Sequence, residues 1–234
     1  MSRPKALLFD VQGTATDFFT TVTSDAVRID LGRNPGLNWD DFVNRWRVAY
    51  FAAVAATPTP AGTWTSVHSI YRRTLDALLD EAGVEYPDTD REELTLAWQR
   101  LIPWPDTVQG LRRLGVRYTL ATLSNADVSA VVNLSKRGGL QWDAIFTAEM
   151  VGAFKPDPAT YSTAARYLGL PHSEIMMVAS HKYDIRAAAA LGFQTAFVAR
   201  PLEFGPAAEA DTEYDDAFDL NASDFLDLAD QLDA

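Results

Sequence analysis

Four short apolar runs recur along the chain, at Ala6–Phe9, Tyr118–Leu123, Ile175–Ala179 and Gln194–Val198. Such uninterrupted runs mark strands buried on both faces of a parallel sheet. Amphipathic stretches lie between them, at Asp106–Leu114, Ala126–Lys136, Pro158–Leu168 and Ile185–Leu191. Strands alternating with helices of that length imply βαβ units and a sheet covered by helices. Gly115, Gly169 and Gly192 stand just past three of these helices, where a left-handed C-cap is expected.

The stretch from 18 to 100 has a different rhythm. Phe42, Trp46, Ala49, Tyr50 and Ala53 recur at helical spacing, as do Val67, Ile70, Tyr71, Thr74, Leu75 and Leu78, with no strand-like run between them. Ala56–Gly62, with two prolines and a glycine, predicts a loop between two helices. The expected fold is therefore α/β, a Rossmann-like doubly wound parallel sheet with an inserted all-helical cap domain. The core is assigned to 1–17 and 101–234 and the cap to 18–100, with Ile102–Asp106 marking the return to the core. The acidic run Glu209–Asp219 predicts a solvated loop leading to a last short strand.

Composition narrows the function. The 234 residues are 47% hydrophobic and 22% charged, ordinary for a globular enzyme and wrong for a disordered chain. A net charge of −12 argues against nucleic acid and anionic membrane as partners. A small anionic substrate is compatible only if basic side chains cluster locally. There is no cysteine, which excludes disulfides, thiolate chemistry and Cys-ligated metals. No apolar run approaches the roughly 20 residues of a membrane span. The start, Met1 to Lys5, leads into a run too short for a signal peptide, so a cytoplasmic location is expected.

In an open parallel sheet, ligands bind beyond the carboxyl ends of the strands. Those ends carry Asp10 with Gly13 and Thr14, then Ser124 and Asn125, then Lys155 before Pro156, then Ser180 through Asp184. Taken singly these residues have plain structural readings. Asp10, Thr14 and Asp184 could each cap a helix, and Lys155 could sit on the surface. His68 and His172 are expected to face solvent, and Trp104, between two prolines, to pack at the hinge.

Their order carries more than any one of them. Phe9-Asp10-Val11-Gln12-Gly13-Thr14, Leu123-Ser124-Asn125, Lys155-Pro156 and the distal Asp184 resemble the four signature motifs of the haloacid dehalogenase superfamily. The resemblance covers essentially the whole chain, including a helical cap between the first two motifs. It implies Asp10 as a covalent nucleophile. Phosphatases of that superfamily carry a general acid two residues after the nucleophile, where this chain has neutral Gln12, which cannot protonate a leaving alkoxide. Ser180 replaces an acid of their Mg²⁺ site, and Lys182 is expected to add positive charge nearby.

These substitutions resemble those of the (S)-2-haloacid dehalogenases, which use no metal or cofactor. The Trp46-Arg47 pair, Tyr161, and the segment Ala196–Pro206 are also similar to that subfamily. The resemblance implies catalytic roles for Asp10, Lys155, Asp184, Arg47 and Thr14. It implies substrate contacts for Ser124, Asn125, Gln12, Val11, Tyr161, His181 and Tyr183. Arg47 would face the halide, Lys155 would keep Asp10 ionised, and Asp184 with Lys155 would activate water against the ester. Backbone amides near Gly13 would hold the oxyanion. The chain departs from the subfamily at Gln12 (usually aromatic), His181 (usually Asn), Tyr183 (Trp in some members) and Ala179 (Ser in some). The expected partners are a small 2-haloacid and halide, with a homodimer as the assembly. A phosphatase of the same fold and a catalytically silent binding protein are the alternatives. Joint retention of Asp10, Lys155 and Asp184 argues against the second of these.

Overall fold

A computed structural model describes residues 3–56 and 64–234. Apart from Ala56, the loop predicted over 56–62 lies outside them. The core is a six-stranded sheet built from β1 (Ala6–Phe9), β4 (Thr119–Ser124), β5 (Ala144–Thr147), β6 (Ile175–Ala179), β7 (Gln194–Val198) and β8 (Leu220–Ala222). Their order is β5-β4-β1-β6-β7-β8, and every pairing is parallel. β1 therefore lies between the two halves of the sheet, with β4 on one side and β6 on the other. That is the switch point at which a parallel sheet opens a crevice at its carboxyl edge. Helices α5 (Thr107–Leu114), α6 (Val128–Gly138), α8 (Pro158–Leu168), α9 (Lys182–Ala190) and α10 (Phe225–Gln231) cover the sheet, and a single turn, α7 (Ala148–Val151), follows β5.

Among its described residues the inserted segment forms helices joined by turns and loops, with no strand. It comprises α1 (Phe18–Asp30), α2 (Trp39–Ala56), α3 (Val67–Ala82), α4 (Asp88–Leu96) and a short 3-10 turn at Ala97–Gln99. Phe42, Trp46, Tyr50, Ile70, Tyr71 and Leu75 fill its apolar centre, whereas Ala49 and Ala53 are only partly buried. Phe154, from the core segment, joins the same cluster. Where the chain leaves for the cap and returns, β2 (Thr16–Asp17) pairs antiparallel with β3 (Ile102–Pro103). Asp17 then caps α1, accepting from the Thr20 amide at 2.9 Å.

Four expectations need correction. The edge strand β5 was not foreseen: it is four residues long and half of it is only partly buried, so it lacks a continuous apolar signal. Gly115 is not left-handed (φ −65°), because the chain continues into a tight turn closed by Tyr118 N–H on Leu114 O at 3.0 Å. Gly169 and Gly192 do have positive φ. Helix α9 begins at Lys182, which places Asp184 within its first turn. His68 and His172 are half-buried: His68 contacts Glu92 and Gln99, and His172 stacks on Phe193. Trp104 packs at the hinge as expected, and its indole N–H donates to Gly13 O at 2.9 Å.

α5 and α10 touch at Gly110, where a Cβ would lie 2.5 Å from the Phe225 Cβ and 2.9 Å from its backbone. Ala in a free helix is favoured over Gly by about 1 kcal/mol. Here the contact is with backbone, which cannot rotate away. Gly110→Ala is therefore expected to destabilise the protein by about 1–3 kcal/mol in chemical denaturation. An unchanged or raised midpoint would show that α10 shifts freely.

Candidate active site

Asp10 leaves β1 with its amide still paired to Val178 O at 3.0 Å, so the sheet fixes its position. The turn that follows needs Gly13, which has φ +92° and whose absent Cβ would meet Glu203 Oε1 at 2.3 Å. Arg200 steadies the turn from outside. Its Nε donates to Thr14 O at 2.8 Å while its two terminal nitrogens grip Asp106 at 2.8 and 2.9 Å.

Asp10 is buried and both its oxygens are engaged. Lys155 Nζ donates to Oδ1 at 2.9 Å, and the Thr14 hydroxyl donates to Oδ2 at 2.8 Å. Thr14 in turn accepts from the Ser180 amide at 2.9 Å and lies 3.0 Å from the Ser180 hydroxyl. Lys155 also bridges to Asp184, whose other oxygen accepts from the Tyr161 hydroxyl. Burial alone would raise the Asp10 pKa, but Lys155 and His181 outweigh it and hold the carboxyl well below the usual range. Burial disfavours the Lys155 ammonium too, yet Asp10 and Asp184 raise it above an ordinary lysine. For Asp184, burial dominates and the shift is upward.

His181 lies on the other side of the nucleophile. Its Nδ1 is 3.1 Å from Asp10 Oδ2 and its Nε2 is 2.8 Å from Glu203 Oε1. Ionised carboxylates only accept, so both ring nitrogens carry protons and the ring is an imidazolium. Burial opposes that charge, but Glu203 and Asp10 push the pKa up to about 10.

Arg47 reaches in from α2. Its Nη1 donates to Gln12 Oε1 at 2.9 Å and to the Tyr71 hydroxyl at 2.6 Å. Phe51 lies 4.5 Å from the guanidinium carbon and Phe18 5.1 Å, forming an aromatic wall around the charge. Among the described residues no carboxylate pairs with Arg47, and its buried Nε has no partner. It is a desolvated cation with no carboxylate at ion-pair distance among the described residues, and Glu203 acts on it only from farther away. Arg47 shares with Asp10, Gln12, Ser124 and His181 a cavity of about 10 Å³, room for about one water. A cleft of about 450 Å³, bordered by Phe51, Lys155 and Tyr183, lies beside it.

The expected site residues therefore divide. Asp10, Thr14, Arg47, Lys155, Asp184 and His181 form one connected cluster, with Ser124 and Gln12 at the cavity. Ser124 is buried and lines this cavity. Gln12 is an acceptor that aims Arg47. Asn125 borders the cavity, but its amide is spent on the backbone of Lys155, accepting at 2.7 Å and donating at 3.1 Å. Val11 points into the sheet core and not toward a ligand. Tyr161 is fully buried and holds Asp184, while Tyr183 stands half-exposed at the mouth. Lys182 does not add charge to the site, because it pairs with Asp211 at 2.6 Å. Glu203, joined to the cluster through His181, was not singled out from the sequence. Its only signal was its place within the 196–206 segment.

The sequence profile of the haloacid dehalogenase-like hydrolases matches residues 4–192. Among solved structures, the chain resembles an L-2-haloacid dehalogenase at 38% identity and TM-score 0.90, covering 98% of this chain and 99% of the other. It also resembles a defluorinating L-2-haloacid dehalogenase at 34% identity and TM-score 0.92, covering 99% and 96%. The (S)-2-haloacid dehalogenase of Xanthobacter autotrophicus is 27% identical over 198 residues, 84% of this chain and 75% of that one.

The cluster makes its own demand on stability. Lys155→Met would leave Asp10 and Asp184 buried without their shared cation, at an expected cost of about 3–5 kcal/mol at neutral pH. The two carboxyls would then have raised pKa values in the folded state. A folded state that binds more protons than the unfolded one loses stability as pH rises. Thermal unfolding of the variant should therefore show a midpoint that falls between about pH 5 and 8 relative to the parent. Parallel pH profiles for the two proteins would contradict this electrostatic account.

Proposed function

The chain belongs to the haloacid dehalogenase-like hydrolases, on the branch of the L-2-haloacid dehalogenases, and we propose that it hydrolyses short 2-haloalkanoic acids to 2-hydroxy acids. The observation that carries this reading is a buried, ionised Asp10 sharing a cavity with Arg47, a buried cation with no carboxylate at ion-pair distance among the described residues. Displacement of halide needs that pair: a nucleophile on one side of a carbon and an anion receptor on the other.

Asp10 attacks the α-carbon opposite the halogen, inverting the centre and forming an ester. Holding carboxylate and carbon in line can contribute about 7–11 kcal/mol of barrier reduction. Charge then moves from Asp10 to the departing halide, and Arg47 stabilises it most strongly at that point. Lys155, fixed by Asn125 and Asp184, keeps Asp10 ionised, and Ser124 offers its hydroxyl to the substrate carboxylate. Water then hydrolyses the ester at the Asp10 carbonyl carbon. No metal or cofactor enters the scheme. We further place the enzyme in the cytoplasm as a homodimer, without nucleic-acid or membrane partners, since a net charge of −12 repels both.

In oxygen-18 water, a single turnover is expected to put the label in the Asp10 carboxylate, as read by peptide mass spectrometry. Asp10→Asn should lose halide release while keeping its near-ultraviolet spectrum. Label found mainly in the hydroxy acid would mean that water attacks the substrate directly.

Metal dependence separates this reaction from phosphoryl transfer on the same fold. A Mg²⁺ ion would face the Lys155 ammonium at one oxygen of Asp10 and Thr14 with His181 at the other, with Ser180 in place of a second acid. Haloacid hydrolysis should therefore survive exhaustive EDTA treatment unchanged, with no phosphatase activity on adding Mg²⁺. Activity lost on chelation and restored by Mg²⁺ would return the protein to the phosphatase branch.

A further inference from the structure

The two oxygens of Asp10 are held unequally. Oδ2 accepts from both Thr14 and His181, whereas Oδ1 accepts only from Lys155 among the described residues. A carboxylate oxygen offers two lone-pair sites. Oδ2 is therefore filled, and Oδ1 keeps one site free for carbon.

We infer that His181 and Thr14 hold the oxyanion during ester hydrolysis, with Glu203 as the positioning residue that keeps the His181 ring doubly protonated and turned toward Asp10 Oδ2. The inference rests on the ester route proposed above. In that ester Oδ1 is bonded to the substrate α-carbon and Oδ2 is the carbonyl oxygen. Water adds to Cγ, and the carbonyl electron pair moves onto Oδ2, between the Thr14 hydroxyl and the imidazolium. Collapse breaks the Cγ–Oδ1 bond. The departing hydroxy acid keeps Oδ1 and takes one proton of the water; the other passes to solvent water as Asp10 returns to carboxylate.

Three features support a built device. Glu203 is buried, and His181 is its only ion-pair partner among the described residues. Its carboxylate occupies the space that any side chain at residue 13 would fill, 2.3 Å from the missing Cβ. Thr14 donates to Oδ2, because an ionised carboxylate oxygen can only accept, and the Ser180 amide holds the Thr14 oxygen in place. Asp184, by contrast, has both oxygens taken, by Lys155 and Tyr161.

The two chemical steps respond to this pair with opposite sign. During alkylation Oδ2 loses negative charge, so the imidazolium binds the resting carboxylate more tightly than the transition state. During hydrolysis Oδ2 gains a full charge, and the grip strengthens as the barrier is climbed. His181 thus serves the second step and does not speed the first.

Rapid-quench measurement of halide, with intact-protein mass spectrometry for the adduct, separates the steps. His181→Asn keeps an N–H and removes the charge; Glu203→Gln keeps the shape and removes the counter-ion. With His181→Asn we expect a halide burst of about one equivalent per site, then turnover slowed about 10²-fold with the Asp10 ester as the main species. Glu203→Gln should show the same pattern to a smaller degree, and it decides the matter alone if the His181 variant does not fold. A slowed burst with Asp10 unmodified would overturn the inference, as would ester occupancy equal to the parent's in both folded variants. A parent enzyme that yields neither halide nor adduct from 2-haloacids would bring down the dehalogenase reading and this inference with it.

Discussion

A lysine ammonium buried between two carboxylates is the constraint around which this molecule is arranged. Lys155 is almost wholly out of water and contacts both Asp10 and Asp184. An isolated charge there would cost several kcal/mol in desolvation, and only close, well-directed partners offset it. The sheet supplies them. β1 and β6 are neighbours, so the residues that follow their carboxyl ends converge, and Asp184 arrives on the first turn of α9. Asn125 at the end of β4 clamps the Lys155 backbone, and Tyr161 from α8 pins Asp184. Three strand ends and two helices thus serve one ammonium. The reward is a nucleophile that stays ionised where burial alone would protonate it.

The cap completes what the core cannot. The two core cations beside Asp10, Lys155 and His181, are both engaged by it and by a second carboxylate. Arg47 instead arrives on a separate element, held by Gln12 and Tyr71 within aromatic rings that tolerate a cation without neutralising it. The cap is tied down by direct bonds. Asp127 accepts from the Trp64 indole and from the Val67 and His68 amides at 2.9–3.0 Å, and the Tyr50 hydroxyl donates to Asn125 O at 3.0 Å. Tyr183, half-exposed, borders both the small cavity at Asp10 and the adjoining cleft of about 450 Å³.

How much of this was legible in the sequence follows from the range of each signal. Buried parallel strands are local, contiguous apolar runs, and the four central ones were readable almost to the residue. β5 lies at the sheet edge, where one side is open and the run is diluted, so it left no comparable trace. Asp10, Lys155 and Asp184 were legible because strand ends and motif order constrain them together. Side chains whose task is set by a tertiary partner were not. Asn125 looked like a ligand contact and is a backbone clamp; Val11 adjoins the nucleophile in sequence but alternates to the opposite face. The link between His181 and Glu203 joins two loops 22 residues apart and passes over a glycine at position 13, a relation no spacing rule contains.

Charge balance explains how so acidic a molecule accommodates an anion. The site holds Lys155, His181 and Arg47 against Asp10, Asp184 and Glu203, three of each sign, so it is locally neutral within a chain of net charge −12. The three cations are not equivalent. Lys155 and His181 each lie between two carboxylates, while Arg47 has, at contact distance among the described residues, hydrogen-bonding and aromatic partners only. On the proposed route one negative charge moves from Asp10 toward the leaving halide, away from the cations already engaged and toward the one with capacity to spare. The sum of charges in the pocket is the same before and after that step; only its location changes. A site arranged this way favours the displaced charge without binding the substrate itself more tightly, which is the condition for accelerating a reaction and not merely holding its reactant.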